Sequence, residues 1–433
     1  MDWEKHIAQN TRSVEDAVRE VKSGDRVVLP NAAGVPVALV NALVARAPEL
    51  RNVEIVHMVS LDKNIYCNPE YQDNFHFNGL YLSAGTRAAV AEGRADYTPI
   101  FFSAIPSLFR SGAMPVDVSM ITVSLPDDKG RFSLGVSIDY TLPAARSAKL
   151  TIAEINPNMP FIGGQSFIDA GEIDIFVNSR DPILELTPAT IGAVESAIGR
   201  HIAGLIKDGD CLQLGIGAIP DAVLSSLVDQ KDLGIHSEMI SDGVMHLVEK
   251  GVINCTRKNL HPGKIIITFL MGSKKLYEWA NNNPLLEGYP VDYTNDPRVI
   301  GQNDNLISIN SALSVDLLGQ VAADSIGPGQ FSGVGGQVDF VRGASMSKGG
   351  RSIIAMPATA AKGKISRICG SFDRGQPVTT SRHDTDTIVT EYGIAELKGK
   401  SNAARAKALI KIAAPEFQDG LTRDALEIYG WRL

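Results

Sequence analysis

Cysteine is scarce: four residues in 433, at Cys67, Cys211, Cys255 and Cys369, with no Cys-x-x-Cys pair and no disulfide-framework spacing. A reducing compartment fits that usage. No apolar run reaches the ~18 residues that mark a membrane span. The opening MDWEKHIAQNTRSVED lacks the basic start and apolar stretch of a secretory signal, so the expectation is a cytoplasmic protein without a membrane partner. Positive charge is short as well: 41 Lys and Arg against 49 Asp and Glu leave a net charge of -8. That balance argues against nucleic acid as partner, which needs a basic face. One basic stretch stands apart, with Lys348, Arg351, Lys362, Lys364 and Arg367; such a patch either holds a single nucleotide or is plain solvated surface. Missing too are the GxxxxGK[ST] loop of nucleotide hydrolysis, the GxSxG elbow of serine esterases, and GxGxxG with a downstream acid for dinucleotides.

What is present is core material, 44% apolar residues with 21% charged, the balance of a globular chain. Its length exceeds one hydrophobic core and predicts two α/β domains of roughly 200 residues. Two segments resemble each other, KSGDRVVLPNAAGVPVALVNALV from Lys22 and KDGDCLQLGIGAIPDAVLSSLV from Lys207. Each reads as turn, strand, loop, helix, with Gly24-Asp25 and Gly209-Asp210 in the turns and Pro36 and Pro220 near helix starts. Thr187-Pro188 can open a helix carrying Ile191, Val194, Ile198, Ile202 and Leu205 at helical spacing. The domains are therefore expected at 1–185 and 186–433. Within the first, MITVSLPDDKGRFSLG predicts a hairpin around Pro126–Gly130. Within the second, KIIITF, NLISIN, RSIIAMP and DTIVTEYG alternate with helical or Gly-rich stretches, the pattern of a mostly parallel sheet with helices outside it. Ligands on such sheets bind at loops beyond the strand ends.

Three stretches there can carry chemistry. GIGAIPD, with Gly215, Ile216, Gly217, Ala218 and Ile219, is a Gly-rich strand-to-helix loop whose amides suit an anion or a developing oxyanion, or whose glycines only relieve crowding. SGVGGQVDF sets Ser332 before Gly333, Gly335 and Gly336, a loop that lets backbone approach a ligand. HSEMISDGV places Glu238 before a helical run, as a cap, a surface acid or a reacting carboxylate. His236-x-Glu238 also begins a zinc-deaminase pattern, but the P-C-x-x-C it requires is absent and neither His246 nor His261 pairs with a Cys or acid at a familiar ligand spacing, so no metal is expected.

Together with VSLPDDKGRFSLGVSIDYT, AKLTIAEINPNMP, NNNPLLEGYPVDYTNDPRVI, INSALSVDLLGQV and VTEYGIAELKGKS, in that order along nearly the whole chain, these stretches resemble the family I CoA-transferases of the acetyl-CoA hydrolase/transferase branch. The resemblance is strongest to 4-hydroxybutyrate, butyrate and acetate CoA-transferases. It implies two related open α/β domains of the NagB/RpiA/CoA-transferase-like type with the active site between them, and a homodimer or homotetramer. It implies CoA and acyl-CoA as substrates, with no permanently bound cofactor. Glu238 then corresponds to the nucleophile, and the Gly215–Ile219 loop, Ser332, Gly335 and Gly336 to CoA-binding and oxyanion-holding positions. Asn295 resembles a position near the acyl site. Asn310 either touches substrate or orders the loop from behind, and Glu391 reads as architectural. A hydrolase using the same glutamate, or a silent CoA-binding protein on the same fold, are the alternatives; an isomerase of the wider fold group would need a different acid/base set.

Overall fold

The short apolar runs become strands of two mostly parallel sheets in a computed structural model that describes residues 2–433. Two units form: the chain up to Thr187 together with Ile266–Thr294, and Pro188–Ile265 together with Asn295–Leu433. The excursion 266–294 thus adds to the first unit a piece of chain from beyond residue 185.

In the first unit β1 (Arg26–Val28), β2 (Val53–His57), β3 (Phe75–Gly79), β4 (Asp96–Tyr97), β5 (Val116–Val123), β6 (Ala148–Ile155) and β7 (Ile175–Asn178) form one sheet in the order β7-β6-β5-β1-β2-β3-β4. In the second unit β8 (Cys211–Leu214), β9 (Gly234–Ile235), β10 (Leu306–Ser311), β11 (Arg351–Ala355), β12 (Thr387–Thr390) and β13 (Gly393–Glu396) run in the order β13-β12-β11-β10-β8-β9. Within these orders, β7-β6-β5-β1-β2 and β12-β11-β10-β8-β9 are the same topology, and every neighbouring pair in both is parallel. The likeness reaches register. Val28 faces Ser119, which faces Thr151; Gln213 faces Ser308, which faces Ser352.

The matching turns explain why the repeat was visible in the sequence. In each, a carboxylate accepts the N–H of the lysine three residues back, Asp25 from Lys22 and Asp210 from Lys207, both at 2.7 Å. Gly24 and Gly209 adopt φ of +86° and +84°, where a side chain would be strained. The helices that follow are α1 (Val37–Ala45) and α3 (Ala218–Ser225), with α2 (Ala193–Ala203) opening the second unit. α2 begins later than Thr187-Pro188 because Glu195 reaches back to the Gly192 N–H at 3.0 Å and sets the start there. Its Ile198 and Ile202 are fully buried, as are Ile353, Ile354 and Ile388 of the sheet; each contributes about 1.5–3 kcal/mol by leaving water.

Two strand expectations are modified. The turn at Pro126–Gly130 closes, with Asp127 N–H to Arg131 O at 2.9 Å and Ser124 N–H to Ser133 O at 2.9 Å. Residues Arg131–Ser133, however, find their ladder partner in Phe167–Asp169. KIIITF does not join β8–β13: Ile265–Ile267 lies in a small sheet with Leu286–Gly288 and Gly163–Gly164. Periodicity cannot tell which sheet an apolar run enters.

His57, at the end of β2, is fully buried: Nδ1 donates to Met58 O at 2.8 Å, Nε2 lies 2.5 Å from the Tyr66 hydroxyl, and the Phe77 ring centroid is 4.6 Å away. Burial pushes the imidazole down from 6.5 to about 4, against the opposing Met58 bond. Below pH 6.5 the unfolded chain takes up a proton that the folded one refuses until about pH 4, so this group destabilises the fold as pH falls through that window. The loss between pH 7 and 5 is about 2 kcal/mol. Burial raises Glu154 to about 7 and Asp139 to about 6, and the stability they contribute is lost as pH rises instead. The expected result therefore concerns His57→Gln against the parent: urea unfolding should lose less stability between pH 7 and 5 in the variant. Equal losses would exclude His57 as the source.

Candidate active site

The site is assembled within the second unit, at the carboxyl ends of β8, β9 and β10. β8 ends at Leu214, Gly215-Ile216-Gly217 turns the chain, and α3 starts at Ala218 with no side chain capping it. Gly217 has φ +107°, which excludes an ordinary residue there, and a Cβ on Gly215 or Gly217 would meet nothing within 4 Å. The loop therefore borders open space, and the first N–H groups of an uncapped helix point outward for an anion. Ile216 is 38% exposed, while Ile219 is buried.

β9 carries the chain into His236-Ser237-Glu238. Ser237 Oγ donates to Leu214 O at 3.2 Å, which ties this segment to the last residue before the glycine loop. His236 N–H reaches Leu212 O at 3.2 Å. From below, buried Lys258 donates through Nζ to Ile235 O at 2.8 Å and Lys264 O at 2.7 Å. Glu238 is held half-exposed between buried neighbours.

Its carboxylate meets two other sequence candidates. Asn295, fully buried, donates through Nδ2 to Glu238 Oε2 at 2.8 Å. The Asn295 Oδ1 atom is buried without a hydrogen-bond partner. Gly336 lies against the same oxygen: a Cβ there would stand 1.8 Å from Glu238 Oε2 and 2.3 Å from Asn295 Nδ2. Its φ of -94° is open to any residue, so the glycine answers to space and not to conformation. Gly335, at φ +54°, turns the preceding backbone. Gly336 precedes α4 (Gln337–Met346), which places the carboxylate at that helix's positive end. Gln337 secures the helix start by donating to Ser311 O at 2.7 Å and accepting from Thr380 Oγ1 at 3.0 Å.

Ser332 and Asn310 are set differently. Ser332 is buried in its own loop, its N–H on Asp324 O at 3.0 Å. Asn310 donates to Gln213 Oε1 at 3.1 Å and Ser308 Oγ at 2.9 Å, a polar rung across β8 and β10. Glu391 Oε2 accepts the Ala358 N–H at 2.8 Å. Ser237, Lys258 and Gln337 were not singled out from the sequence; Ser237 and Gln337 sit beside chosen residues, whereas Lys258 carries no local signal.

Cysteine chemistry is disfavoured by the same burial that shapes the core, which pushes the thiols of Cys67, Cys211 and Cys369 up to about 12, away from the reactive thiolate. Among the described residues no helix is long and apolar enough to cross a membrane.

The chain belongs to the acetyl-CoA hydrolase/transferase family. The model of that family's N-terminal domain matches residues 1–186 and that of its C-terminal domain residues 272–425. The chain is 56% identical to the 4-hydroxybutyrate coenzyme A transferase of Clostridium kluyveri over 98% of this chain and 99% of that one. It is 38% identical to the butyryl-CoA:acetate CoA-transferase of Anaerostipes caccae, over 100% and 99%. The crystal structure of 4-hydroxybutyrate CoA-transferase from Porphyromonas gingivalis superposes with a TM-score of 0.86 at 41% identity, covering 99% of this chain and all of that one. The expected CoA-transferase type of two-domain α/β fold is thus the fold observed.

Proposed function

We propose that this protein transfers coenzyme A between an acyl-CoA and a short-chain carboxylate, through covalent intermediates on Glu238. The observation that carries the reading is the Asn295–Glu238–Gly336 contact: a carboxylate that accepts from Asn295 Nδ2 through Oε2, beside a helix N-terminus. The relatives' names carry acetate, butyrate and 4-hydroxybutyrate, which supports a short-chain substrate class that takes in propionate as well.

The steps balance without a proton or ATP. The second oxygen of Glu238, Oε1, attacks the thioester carbonyl; the C–S bond breaks, giving a mixed anhydride and CoA thiolate. The thiolate attacks Glu238 Cδ, the first acid leaves carrying Oε1, and a glutamyl-CoA thioester remains with Oε2 as its carbonyl oxygen. The acceptor carboxylate then attacks that carbonyl and releases the thiolate, which attacks the new acyl carbonyl and restores Glu238. In both glutamyl-centred tetrahedral intermediates the negative charge sits on Oε2, where Asn295 Nδ2 already points. Amides of the Gly215–Ile219 loop and of Gly335-Gly336 are the proposed donors for the acyl-centred ones, and Ser332 and Asn310 the proposed supports of the CoA-facing side.

One donor to an oxyanion is worth ~3 kcal/mol, about 10²-fold in rate. Asn295→Ala should lower kcat by about that factor and leave the KM for acyl-CoA within a few-fold, as read from initial rates of acyl-CoA exchange. A rise in KM at constant kcat would place Asn295 in ground-state binding instead. Transfer and hydrolysis are separated by following free thiol and acyl-CoA exchange with and without a second acid. Thiol release that ignores the acceptor would replace transfer by hydrolysis.

A further inference from the structure

The two units repeat one strand pair, and they differ where Glu238 stands. The turns starting at Lys22 and Lys207 align Arg26 with Cys211 and Leu29 with Leu214. Arg26 faces Glu54 and Cys211 faces Gly234, so β2 and β9 align Ile55 with Ile235, His57 with Ser237 and Met58 with Glu238. In the first unit Leu29 is served from two other elements: its N–H donates to Val56 O at 3.0 Å, and its carbonyl accepts from the Tyr140 hydroxyl at 2.9 Å. The His57 ring turns to Met58 O and the Tyr66 hydroxyl.

In the second unit one side chain serves both groups. The Ser237 hydroxyl accepts the Leu214 N–H at 3.3 Å and donates to Leu214 O at 3.2 Å. Ladder donors step two residues at a time along this segment, Gly234 N–H to Asp210 O at 2.9 Å and His236 N–H to Leu212 O at 3.2 Å. Ser237 Oγ meets the next carbonyl of that series, so a single oxygen spans the residue before Glu238 and the residue before Gly215. Ser237 is 1% exposed. The narrow cavity beside it, lined by Leu214, Gly215, Leu224, Met239 and Ser241 among others, has no room for a water. No solvent molecule can take the place of the hydroxyl, and a shift of the loop is passed on to the carboxylate segment.

We infer that Ser237 is a positioning residue that couples the Gly215–Gly217 loop to Glu238, so that the oxyanion donors and the attacking carboxylate move as one body. The inference rests on Glu238 being the nucleophile, as proposed above. Attack requires both at once: loop amides offered to the acyl oxygen while Oε1 approaches the acyl carbon. Two separately mobile segments would meet that condition in only a fraction of encounters, whereas one hydroxyl on the backbone at the foot of the loop fixes their relation beforehand. The first unit has Met58 in place of the carboxylate, and there Leu29 is held by Val56 and Tyr140 instead.

The test is a double-variant cycle on the intact protein, read as initial rates of acyl-CoA exchange in Ser237→Ala, Gly217→Ala and the two combined, with Ser237→Thr beside them. Ser237→Ala should lower kcat by about 10- to 100-fold and leave the KM for acyl-CoA within about threefold. Ser237→Thr keeps the hydroxyl and should stay within about fivefold of the parent. Gly217→Ala strains a backbone at φ +107° while its methyl meets nothing within 4 Å, so it displaces the loop. If the two are coupled, the double variant is at most about threefold slower than the slower single one; independent losses multiply. Multiplied losses overturn the coupling, as do a Ser237→Ala rate equal to the parent's and a threonine variant as slow as alanine. Should Ser237→Ala not fold, Ser237→Cys, with a weakly donating thiol, takes its place in the cycle under the same two outcomes. Glu238→Ala separates the levels: inactive beside multiplied losses, it removes the coupling alone; fully active, it removes the nucleophile and this inference with it.

Discussion

Glu238→Ala should abolish CoA exchange, with kcat reduced by on the order of 10⁴-fold or more, the scale seen when a nucleophile is deleted from a catalytic set that acts as a unit. The fold should survive, because Glu238 is half-exposed and its segment is anchored by Ser237 and by the Lys258 bond to Ile235 O. Two chemical signatures distinguish the covalent route from a carboxylate acting as a base. Borohydride added after acyl-CoA should inactivate the parent by reducing the glutamyl thioester, and the labelled peptide should contain Glu238. In the proposed sequence Glu238 loses Oε1 to the departing acid and regains an oxygen from the acceptor. An acceptor carboxylate labelled with heavy oxygen should therefore leave one label on Glu238 per turnover. A base that activates water would take no label from the acceptor. Labelling on another residue, or activity surviving in Glu238→Ala, ends the mechanism.

The strand-loop-helix repeat was legible because its signals are local: Gly24 and Gly209 need left-handed backbone, and Asp25 and Asp210 bond only three residues back. Local geometry of this kind is written in adjacent letters. The strand order was not. That β1 and β8 lie between β5 and β2, and between β10 and β9, depends on crossovers that periodicity does not encode. Nor could the passage of 266–294 into the first unit be read, since its apolar runs resemble those of the second.

At the site, composition left Glu238 as one of 49 acidic side chains, and only the order of surrounding motifs raised it. What no motif could supply is that Asn295, 57 positions away, donates to the same oxygen that Gly336 touches. Lys258 was invisible for a related reason. A lysine 6% exposed becomes significant only once the carbonyls it bridges are seen, here Ile235 and Lys264.

Gly336 allows the second large prediction, because steric and conformational causes separate cleanly there. With φ at -94°, alanine is permitted by the backbone, and at the start of α4 it costs the helix at most about 1 kcal/mol relative to glycine. The added methyl, in contrast, would lie 1.8 Å from Glu238 Oε2 and 2.3 Å from Asn295 Nδ2, far inside contact distance. Because α4 is held by Gln337 on Ser311 and Thr380, the carboxylate is the more mobile side and moves. A displacement near 1 Å from attacking geometry costs about 10²-fold, and loss of the Asn295 bond about 10²-fold more where the two effects are independent. Gly336→Ala should accordingly lose between about 10² and 10⁴ in kcat while its unfolding temperature falls by only a few degrees. Exchange rates within threefold of the parent would show that the close approach of this glycine to Glu238 is not what positions the nucleophile. A protein that unfolds at much lower temperature would instead make Gly336 a folding determinant.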